Sequence, residues 1–262
     1  MINHRRRSIY PSRLRAGFTF WIFLDMSFCL FLTASADRCL SPAASAGLTD
    51  SACRLARSVE QLRKLIVHVP AVLNSRDPYL ASEIPPACVL QLYFDDIANL
   101  EAALAEAGPL QALFDDARFP MLAGCDWTQQ AMAVRRFPIS GSLPPDDAHG
   151  SERCTYLVCY EGPADDVEAW LAHYIRQHPP IMARLPGVRE VEVYTRIDYC
   201  SGLAAARSNA MQRNKAVFDS AAALSHSLTS PVRDELRADF NTLPPFSGET
   251  PHYPMHSFVT VV

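Results

Sequence analysis

Residues that could move protons are concentrated in the second half of this sequence. His178 is the leading candidate for catalysis, because an imidazole titrates near neutral pH and can exchange a proton with a bound phenol, enol or lactone. It stands directly before Pro179-Pro180, where a histidine could instead cap a broken helix or hydrogen-bond a free carbonyl. The sequence therefore predicts either a catalytic or ligand-contacting histidine or a purely structural one.

Four further side chains are candidates for contacting a substrate. Tyr160 and Tyr194 stand at the ends of predicted strands, where a hydroxyl group could polarise a substrate oxygen beside His178. His173 and Tyr174 belong to the same predicted helix as His178. Five residues separate His173 from His178, which is about 140° around a helix of 3.6 residues per turn. We therefore predict that the two rings do not share a face closely and do not form a two-histidine metal site.

Three more titratable residues have competing interpretations. Asp219 stands at a strand end, but an aspartate at a strand-to-helix junction typically caps the helix that follows. Its equivalent Asp95 lies in a half of the chain without a matching histidine, which favours capping. His252 and His256 flank the last predicted strand four residues apart, so alternation places them on one face of it. They either reach the candidate pocket or hydrogen-bond at the surface.

The sequence carries no recognisable cofactor or metal motif. The helix with His173 and His178 has no HxxxH or carboxylate-paired spacing, so we predict no metal. GxGxxG, P-loop, HExxH, GxSxG and kinase motifs are absent, which disfavours nucleotide cofactors and triad hydrolysis, and we predict no cofactor. The eight cysteines show no CxxC pair or zinc spacing. Buried thiols in a reducing compartment are the simplest interpretation, and this predicts a cytoplasmic protein.

Length and charge limit the class of protein further. The chain has 262 residues, of which 49% are hydrophobic, and a formal net charge of -4. This composition can bury a substantial core, and the slightly acidic balance gives no electrostatic footprint for nucleic acid. The expected partner is a small-molecule ligand, with no nucleic acid and no membrane in the mature fold.

The chain nearly repeats itself at an offset of 124 residues. Residues 93–104 align with residues 217–228, and Pro120 and Gly124 then fall on Pro244 and Gly248 without a gap. A repeat of this length indicates a duplicated domain, because solenoid units run about 20 to 50 residues. We predict a first, degenerate module over 26–138, a linker over 139–153 and a second module over 154–262.

The second module reads as strand, helix, strand, strand, helix, strand. Its predicted strands cover 154–160, 188–197, 215–218 and 255–262. The first helix follows Asp165 or Asp166, shows an apolar stripe at helical spacing and is bent or interrupted at Pro179-Pro180. The second helix covers 221–228 and 232–240, with Pro231 at a break. The predicted fold class is α+β, with tandem ferredoxin-like βαββαβ modules that pack bare sheet faces together as an intramolecular pseudo-dimeric barrel.

The N-terminus supports two interpretations. Residues 1–36 resemble a secretory signal peptide, with a basic start, an apolar stretch and Ala34-Ser35-Ala36 as a cleavage site. Asp25 within the apolar stretch opposes that interpretation, because a charge is costly at a membrane centre. Residues 26–32 also occupy the position of the opening strand of the second module. We therefore expect a start at Met26, residues 1–25 as an extension or disordered N-terminus, and an exported protein as the alternative.

Two segments of the second module resemble a known family. Residues 173–180, which read HYIRQHPP, and the following Leu185-Pro186-Gly187 are similar to a family helix with a histidine, a nearby proline and a closing Leu-Pro-Gly. Residues 217–220, which read VFDS, are similar to the Phe-Asp-Ser at the start of the family's second helix. This family is the EthD-like group of dimeric α+β barrel proteins.

The resemblance implies an oxidoreductase of ether-degrading systems. Relatives with the same barrel also include cofactor-independent monooxygenases, lactone isomerases and polyketide cyclases, so the fold does not choose the reaction. Such relatives usually pair two chains, whereas this chain carries both halves itself and could associate further with a second copy.

The predicted function is binding of a small hydrophobic organic molecule between helix and sheet of the second module. Oxidoreductase or proton-transfer activity would require no nucleotide cofactor and would depend on His178. The alternative is a non-catalytic accessory or binding protein of a degradative pathway. A cavity of roughly 300 Å³ or more beside His178 favours the ligand interpretation, and a filled core favours the accessory one.

Overall fold

Eight antiparallel strands close into a barrel, and the helices pack on its outer side. The computed structural model describes residues 27–74, 77–78, 84–139 and 152–262. The elements of the first half are β1 (Phe28–Ser35), α1 (Pro42–Ala56), β2 (Lys64–Pro70), β3 (Cys88–Phe94), α2 (Ile97–Leu104) and β4 (Asp126–Phe137). The second half contributes β5 (Glu152–Tyr160), α3 (Val167–Met182), β6 (Val188–Arg196), β7 (Ala206–Arg207), β8 (Gln212–Phe218), α4 (Ala221–Leu228), α5 (Pro231–Phe240) and β9 (His252–Val261).

The strand order explains how the barrel closes. Hydrogen-bonded neighbours run β1-β3-β2-β9-β5-β8-β6-β4, and β4 pairs back with β1. The two halves contribute the runs β4-β1-β3-β2 and β9-β5-β8-β6, so corresponding strands occupy corresponding places. The halves meet at two antiparallel seams, β2 with β9 and β4 with β6. Closure leaves no exposed edge on these eight strands, and only the two-residue β7 adds to β4 from outside.

The opening strand lies where the sequence predicts it. Residues 28–35 form β1, which hydrogen-bonds to β3 on one side and to β4 on the other. The predictions for residues 1–25, for the signal-like stretch up to 26 and for most of the linker concern residues outside the described ranges. In the described ranges, no helix has both the length and the apolar character that crossing a bilayer requires.

Alternation along each strand divides the core into inner and outer layers. In β1, Cys29 and Phe31 face the barrel interior, while Leu30 and Leu32 pack under the helices. The interior apolar cluster draws on strands of both halves, and its members are Cys29, Phe31, Ile66, Val89, Tyr93, Met132, Leu157, Tyr194 and Met255. Sheet faces of the two halves therefore cover each other, as the sequence predicts for an α+β barrel.

Prolines act differently in the two predicted helical regions of the second half. Pro231 lies in the first turn of α5, where its missing N–H costs nothing, and it separates α4 from α5 as predicted. Pro179 and Pro180 lie inside α3, which nevertheless continues to Met182. Of the two predicted alternatives, a bent or an interrupted helix, the interruption is ruled out, because packing of the buried face holds the last turn helical despite the lost hydrogen bonds.

Candidate functional site

Helix α3 places His178 on its buried face. Asp166 caps the helix by accepting a hydrogen bond from the Ala169 N–H at 2.9 Å. Trp170, Tyr174 and His178 then follow at four-residue intervals and are all buried, with His178 only 8% exposed. The cap thus sets the start of the helix, and the spacing directs the imidazole toward the layer between α3, α5 and the sheet.

His178 is paired with a carboxylate from α5. Its Nδ1 lies 2.7 Å from Oδ2 of Asp239, and each side chain is only 10% exposed. Because an ionised carboxylate only accepts hydrogen bonds, Nδ1 carries the proton and donates it. Burial lowers the pKa of His178, although the hydrogen bond and charge of Asp239 act in the opposite direction. The ring is therefore neutral at pH 7, and its Nε2 carries the lone pair.

His173 approaches the same carboxylate. Its Nε2 lies 3.1 Å from Oγ1 of Thr242 and 3.9 Å from Oδ1 of Asp239. The two histidines of α3 diverge around the helix, as predicted, yet both reach the end of α5, because Asp239 projects between them. Nowhere in the described ranges do three His, Cys, Asp or Glu side chains converge as metal ligands would.

An aromatic stack continues from the imidazole. Tyr174 stacks on His178 with ring centroids 4.8 Å apart, and Trp170 stacks on Tyr174 at 5.1 Å. Tyr160 meets Trp170 and Tyr174 edge-on at 5.1 and 5.2 Å. Burial raises the pKa values of Tyr160 and Tyr174, so both hydroxyls stay protonated at neutral pH. The structure therefore brings Tyr160, Tyr174, His173 and His178 into one layer.

Aromatic side chains fill much of this layer. Phe246 packs against Tyr160 and Trp170 at 6.0 and 5.7 Å between centroids, and Phe240 packs against Phe246. A cavity of about 560 Å³ lies elsewhere, at one end of the barrel, and neither His178 nor Tyr174 lines it. The cavity at the barrel end is therefore not the cavity that the ligand interpretation predicts beside His178.

Several buried polar atoms in the same layer have no hydrogen-bond partner within the described ranges. Asn214 donates from Nδ2 to the Tyr174 hydroxyl at 2.6 Å, but its Oδ1 is unpaired among the described residues. Nε1 of Trp170 and Oε1 of Gln212 are unpaired in the same sense. Unpaired buried polar atoms are rare in proteins, and these three belong to side chains that surround one tyrosine or stack on it. Their chemistry suits a small molecule that carries both a donor and an acceptor.

Tyr194 does not join this layer. On β6, Val193 faces the helices, so Tyr194 points into the barrel interior, where it meets Phe31 edge-on at 4.8 Å. Its hydroxyl donates to Oε2 of Glu192 at 2.6 Å. Tyr160 on β5 packs under the helices, whereas Tyr194 on β6 faces the barrel interior. Contrary to the expectation from the sequence, the two side chains therefore do not line one pocket.

A buried charge cluster in the barrel interior was not predicted from the sequence. Lys215 and Glu192 are both 0% exposed, and Nζ of Lys215 lies 3.1 Å from Oε2 of Glu192 and 2.9 Å from Oε1 of Glu190. Burial alone would lower the pKa of Lys215, but attraction to the two glutamates outweighs it and raises the pKa. Burial alone would raise the pKa of Glu192, but Lys215 and Lys64 outweigh it and lower the pKa. Both groups are therefore ionised.

Neutral side chains extend this cluster through the barrel. The Tyr93 hydroxyl donates to Glu192 at 2.7 Å and accepts from Lys215 at 3.0 Å. Gln91 donates to the Tyr194 hydroxyl at 3.0 Å, and its Oε1 accepts from Nε2 of His68 at 2.8 Å. The sequence does carry a signal for this charge cluster. Glu190 and Glu192 occupy alternate positions of β6, and Lys215 lies in the middle of β8. Opposite charges on neighbouring strands can indicate a polar barrel interior instead of a solvated face.

Asp219 and its equivalent Asp95 form ion pairs instead of helix caps. Ser220 caps α4 and Asp96 caps α2, each one position later than predicted. Asp219 accepts hydrogen bonds from Arg189 and Arg153, and Asp95 lies 3.1 Å from Nε of Arg63. The capping prediction is wrong by one residue in both halves. β3 and β8 end directly before these aspartates, and each carboxylate pairs with an arginine near the start of the neighbouring strand.

The two histidines of β9 have separate partners. His252 lies 5.5 Å from the Tyr156 ring, and burial lowers its pKa to about 4. Nδ1 of His256 lies 2.7 Å from Oε1 of Glu152, and both side chains are partly exposed. His252 therefore contacts an aromatic ring, whereas His256 contacts a carboxylate.

Comparison with solved structures supports the barrel fold. An anthrone oxidase-like protein superposes with a TM-score of 0.54 at 15% identity, over 90% of this chain and 93% of its own. A provisionally named monooxygenase from Fusobacterium nucleatum superposes with a TM-score of 0.53 at 9% identity, over 90% and 94%. Identities this low show the fold alone. The chain is therefore an α+β protein with a closed antiparallel barrel, and its fold is similar to the folds of these two proteins.

The comparisons do not confirm the predicted membership of the EthD-like family. An EthD family protein from Bacillus halodurans aligns with 37% of this chain and 97% of its own length, at 20% identity and a TM-score of 0.29. A match this weak carries no argument for the family. No protein-family model matches the chain, and no curated protein matches it in sequence.

Proposed function

We propose that this protein binds a small, largely apolar organic molecule in the second half and transfers a proton to or from it through His178, without a nucleotide cofactor. The observation that carries the proposal is the buried His178–Asp239 pair, with Nδ1 and Oδ2 2.7 Å apart. An imidazole fixed by a carboxylate at one nitrogen presents the other nitrogen as a base of defined tautomer. His178 is the proposed catalytic residue, and Asp239 is a positioning residue.

The proposed step is a balanced proton transfer. Nε2 of His178 takes a proton from an acidic C–H or O–H group of the substrate, and the imidazolium that forms is stabilised by the adjacent Asp239. The proton returns to another substrate atom in an isomerisation or cyclisation. In an oxidative variant, dioxygen is the oxidant of the deprotonated substrate. The two structural neighbours are named an anthrone oxidase-like protein and a monooxygenase, and both names suit this oxidative variant.

Three other side chains, Tyr160, Tyr174 and His173, complete the proposed site and contact the substrate. Tyr194, which the sequence also placed among the substrate contacts, lies in the barrel interior and takes no part in this site. Stacked rings favour a flat, aromatic or conjugated substrate. The unpaired atoms of Trp170 and Asn214 supply a donor and an acceptor for its polar groups.

We further propose that the two halves are ferredoxin-like modules of EthD-like type that arose by duplication within one chain. Both halves follow the order strand, helix, strand, strand, helix, strand, and both arrange the strands alike. The Arg63–Asp95 and Arg189–Asp219 pairs correspond in the two halves, and Gly124 and Gly248 both have positive φ values, 74° and 81°. The proposed modules cover 26–138 and 154–262, with a linker over 139–153, and the last two linker residues belong to β5. A cytoplasmic location stays a prediction.

Anthrone is a suitable first probe, because removal of a proton from its ring CH₂ gives a stabilised carbanion, and dioxygen then yields anthraquinone and water. A panel of lactones and enolisable ketones should be measured beside it. The wild-type protein should accelerate at least one conversion, and His178→Ala should lower that rate at least about 100-fold while circular dichroism is unchanged. His226→Ala, at an exposed position of α4, is the matched control and should retain full activity. Equal rates for His178→Ala and wild type would remove His178 from the mechanism.

A second candidate function is that of a non-catalytic accessory protein. The filled aromatic layer around Tyr160, Trp170 and Phe246 favours it, because such packing by itself stabilises the fold. This alternative predicts no turnover of any probe and no thermal stabilisation by the panel. It also predicts that Trp170→Ala lowers stability by roughly 3 to 5 kcal/mol without any other loss.

A further inference from the structure

A cavity of about 560 Å³ opens at one end of the barrel. It lies where β1, β5 and β6 end and where β4, β8 and β9 begin. Sites for small organic ligands span about 300 to 1,000 Å³, so this volume is sufficient for one. Neither His178 nor Asp239 lines it, so it is separate from the site of the proposed function and independent of it.

Two guanidinium groups line this barrel-end cavity. Arg196 donates to Oδ1 of Asn209 at 3.0 Å. Arg213 donates to Oε1 of Gln130 at 3.2 Å and to Oγ of Ser208 at 3.0 Å. All of these partners are neutral. Among the described residues, no carboxylate lies within salt-bridge distance of either guanidinium, whereas arginines elsewhere, including Arg136, Arg189 and Arg233, have one.

Arg213 is held in place before any ligand arrives. Its guanidinium lies 5.1 Å from the centroid of the Phe31 ring, and the side chain is half-buried. The buried Gln130 that accepts its Nε–H is itself fixed, since its Nε2 donates to the Ala210 carbonyl at 2.8 Å. A half-buried charge without a counter-charge is costly, and an anion in the cavity would offset that cost.

The rest of the lining defines the ligand's body and charge. Val167, Met211 and Pro251 supply apolar surface, and Glu161 supplies one carboxylate, which accepts a hydrogen bond from the Glu249 N–H at 3.3 Å. Two arginines and one glutamate give the lining a net charge of +1. This charge matches a monoanion better than a phosphate dianion, and a planar guanidinium suits a carboxylate through two parallel hydrogen bonds.

We propose that the barrel-end cavity binds a small organic monocarboxylate, with its carboxylate on Arg213 and Arg196 and its apolar body against Val167, Met211 and Pro251. The site belongs to the closed barrel, because its lining residues come from strands and loops of both halves. Neither half alone would form it.

Calorimetry with 1-naphthoate and with its neutral isostere 1-naphthamide tests the proposal. Naphthoate should bind, naphthamide should bind at least about tenfold more weakly, and Arg213→Gln should weaken naphthoate at least about tenfold. Arg176→Gln, which removes the same charge from an exposed position of α3, is the matched control and should leave binding unchanged. Arg196→Gln provides the same test at an exposed position if Arg213→Gln does not fold.

Each outcome decides the proposal. Equal affinities for the acid and the amide, equal effects of Arg213→Gln and Arg176→Gln, or no naphthoate binding to the wild-type protein would overturn it. His178→Ala should leave naphthoate affinity unchanged. Loss of affinity in His178→Ala would place the carboxylate in the site of the proposed function and would equally overturn a separate barrel-end site.

Discussion

The barrel interior and the His178 layer both bury polar groups, but they do so in opposite ways. Inside the barrel, Lys215 has two carboxylate partners and Glu192 accepts from two tyrosines, so charge and hydrogen bonds are matched. Beside α3, His178 has one carboxylate partner, and neighbouring polar atoms of Trp170 and Asn214 have no hydrogen-bond partner in the part of the chain that the structure describes. Matched groups stabilise one structure, whereas unmatched groups can interact with a ligand.

The first half supplies a second contrast. Helix α1 buries Leu48, Ala52 and Ala56 where α3 buries Trp170, Tyr174 and His178. The same position in the fold therefore holds a plain aliphatic core in one half and a titratable aromatic layer in the other. The fold can therefore form with an aliphatic core at this position and does not require the aromatic and titratable side chains of the His178 layer. This favours a functional role for those side chains.

The largest expected effect breaks the matched interior. Lys215→Met leaves Glu190 and Glu192 without their shared cation, and we expect it to lower the free energy of unfolding by about 3 to 5 kcal/mol in urea titrations. Lys64→Met is the matched control. Its ammonium lies 4.4 Å from the centroid of the same Tyr93 ring but is partly exposed, so we expect a loss below about 1 kcal/mol. Similar losses in the two variants would show that the interior cluster contributes no more than a surface contact.

A second prediction concerns acid stability. Burial lowers the pKa of His68 to about 3, from 6.5 in the unfolded chain. Between pH 3 and pH 6.5 the unfolded state binds more protons than the folded state. The contribution of neutral His68 to the free energy of unfolding is therefore fully present above pH 6.5 and is lost as the pH falls. The loss is roughly 2 kcal/mol at pH 5. His68→Gln should therefore show a shallower fall of unfolding free energy between pH 7 and pH 5 than wild type.

His226→Gln, which changes an exposed histidine, controls for that comparison and should keep the wild-type slope. The slopes are compared instead of the absolute stabilities, because His68→Gln also alters hydrogen bonds to Gln91 and Ser257. A slope in His68→Gln as steep as that of wild type would mean that His68 is solvated or protonated in the folded protein.

The smallest effect is expected in the His178 layer. Asp239→Asn keeps a hydrogen-bonding side chain, so we expect it to change the free energy of unfolding by less than about 1.5 kcal/mol. It removes the charge that opposes burial, so the pKa of His178 should fall further, which an NMR titration of the ring measures. Asp165→Asn, at an exposed position before α3, should leave that titration unchanged. A rise of the His178 pKa in Asp239→Asn would contradict the pairing.

Much of the architecture could be predicted from local pattern. Alternating strands, the stripe of Trp170 and Tyr174 and the break at Pro231 are properties of short segments, and the structure confirms each. Other local rules failed where packing outweighed them. Pro179-Pro180 did not interrupt α3, and Asp219 formed ion pairs with arginines while Ser220 capped the helix.

The candidate site could be predicted only in part. The helical period brings Tyr174 and His178 together, because residues four apart share a helix face. The partner Asp239 lies 61 residues away from His178 on a different helix, and no spacing rule links them. The charge cluster in the barrel interior was not predicted, for a related reason. Glu192 and Lys215 are opposite each other on neighbouring strands, and barrel closure decides whether their side chains are buried or exposed.

The sequence by itself determined the order of the elements, the repeat and the histidine-bearing helix, because periodicity and turn chemistry act over a few residues. Only the tertiary structure decided which strand faces become interior, which carboxylate meets His178 and which arginines have no carboxylate within salt-bridge distance among the described residues. The physical reason is that burial and charge pairing depend on distances between segments far apart in the chain. Closing the barrel sets those distances.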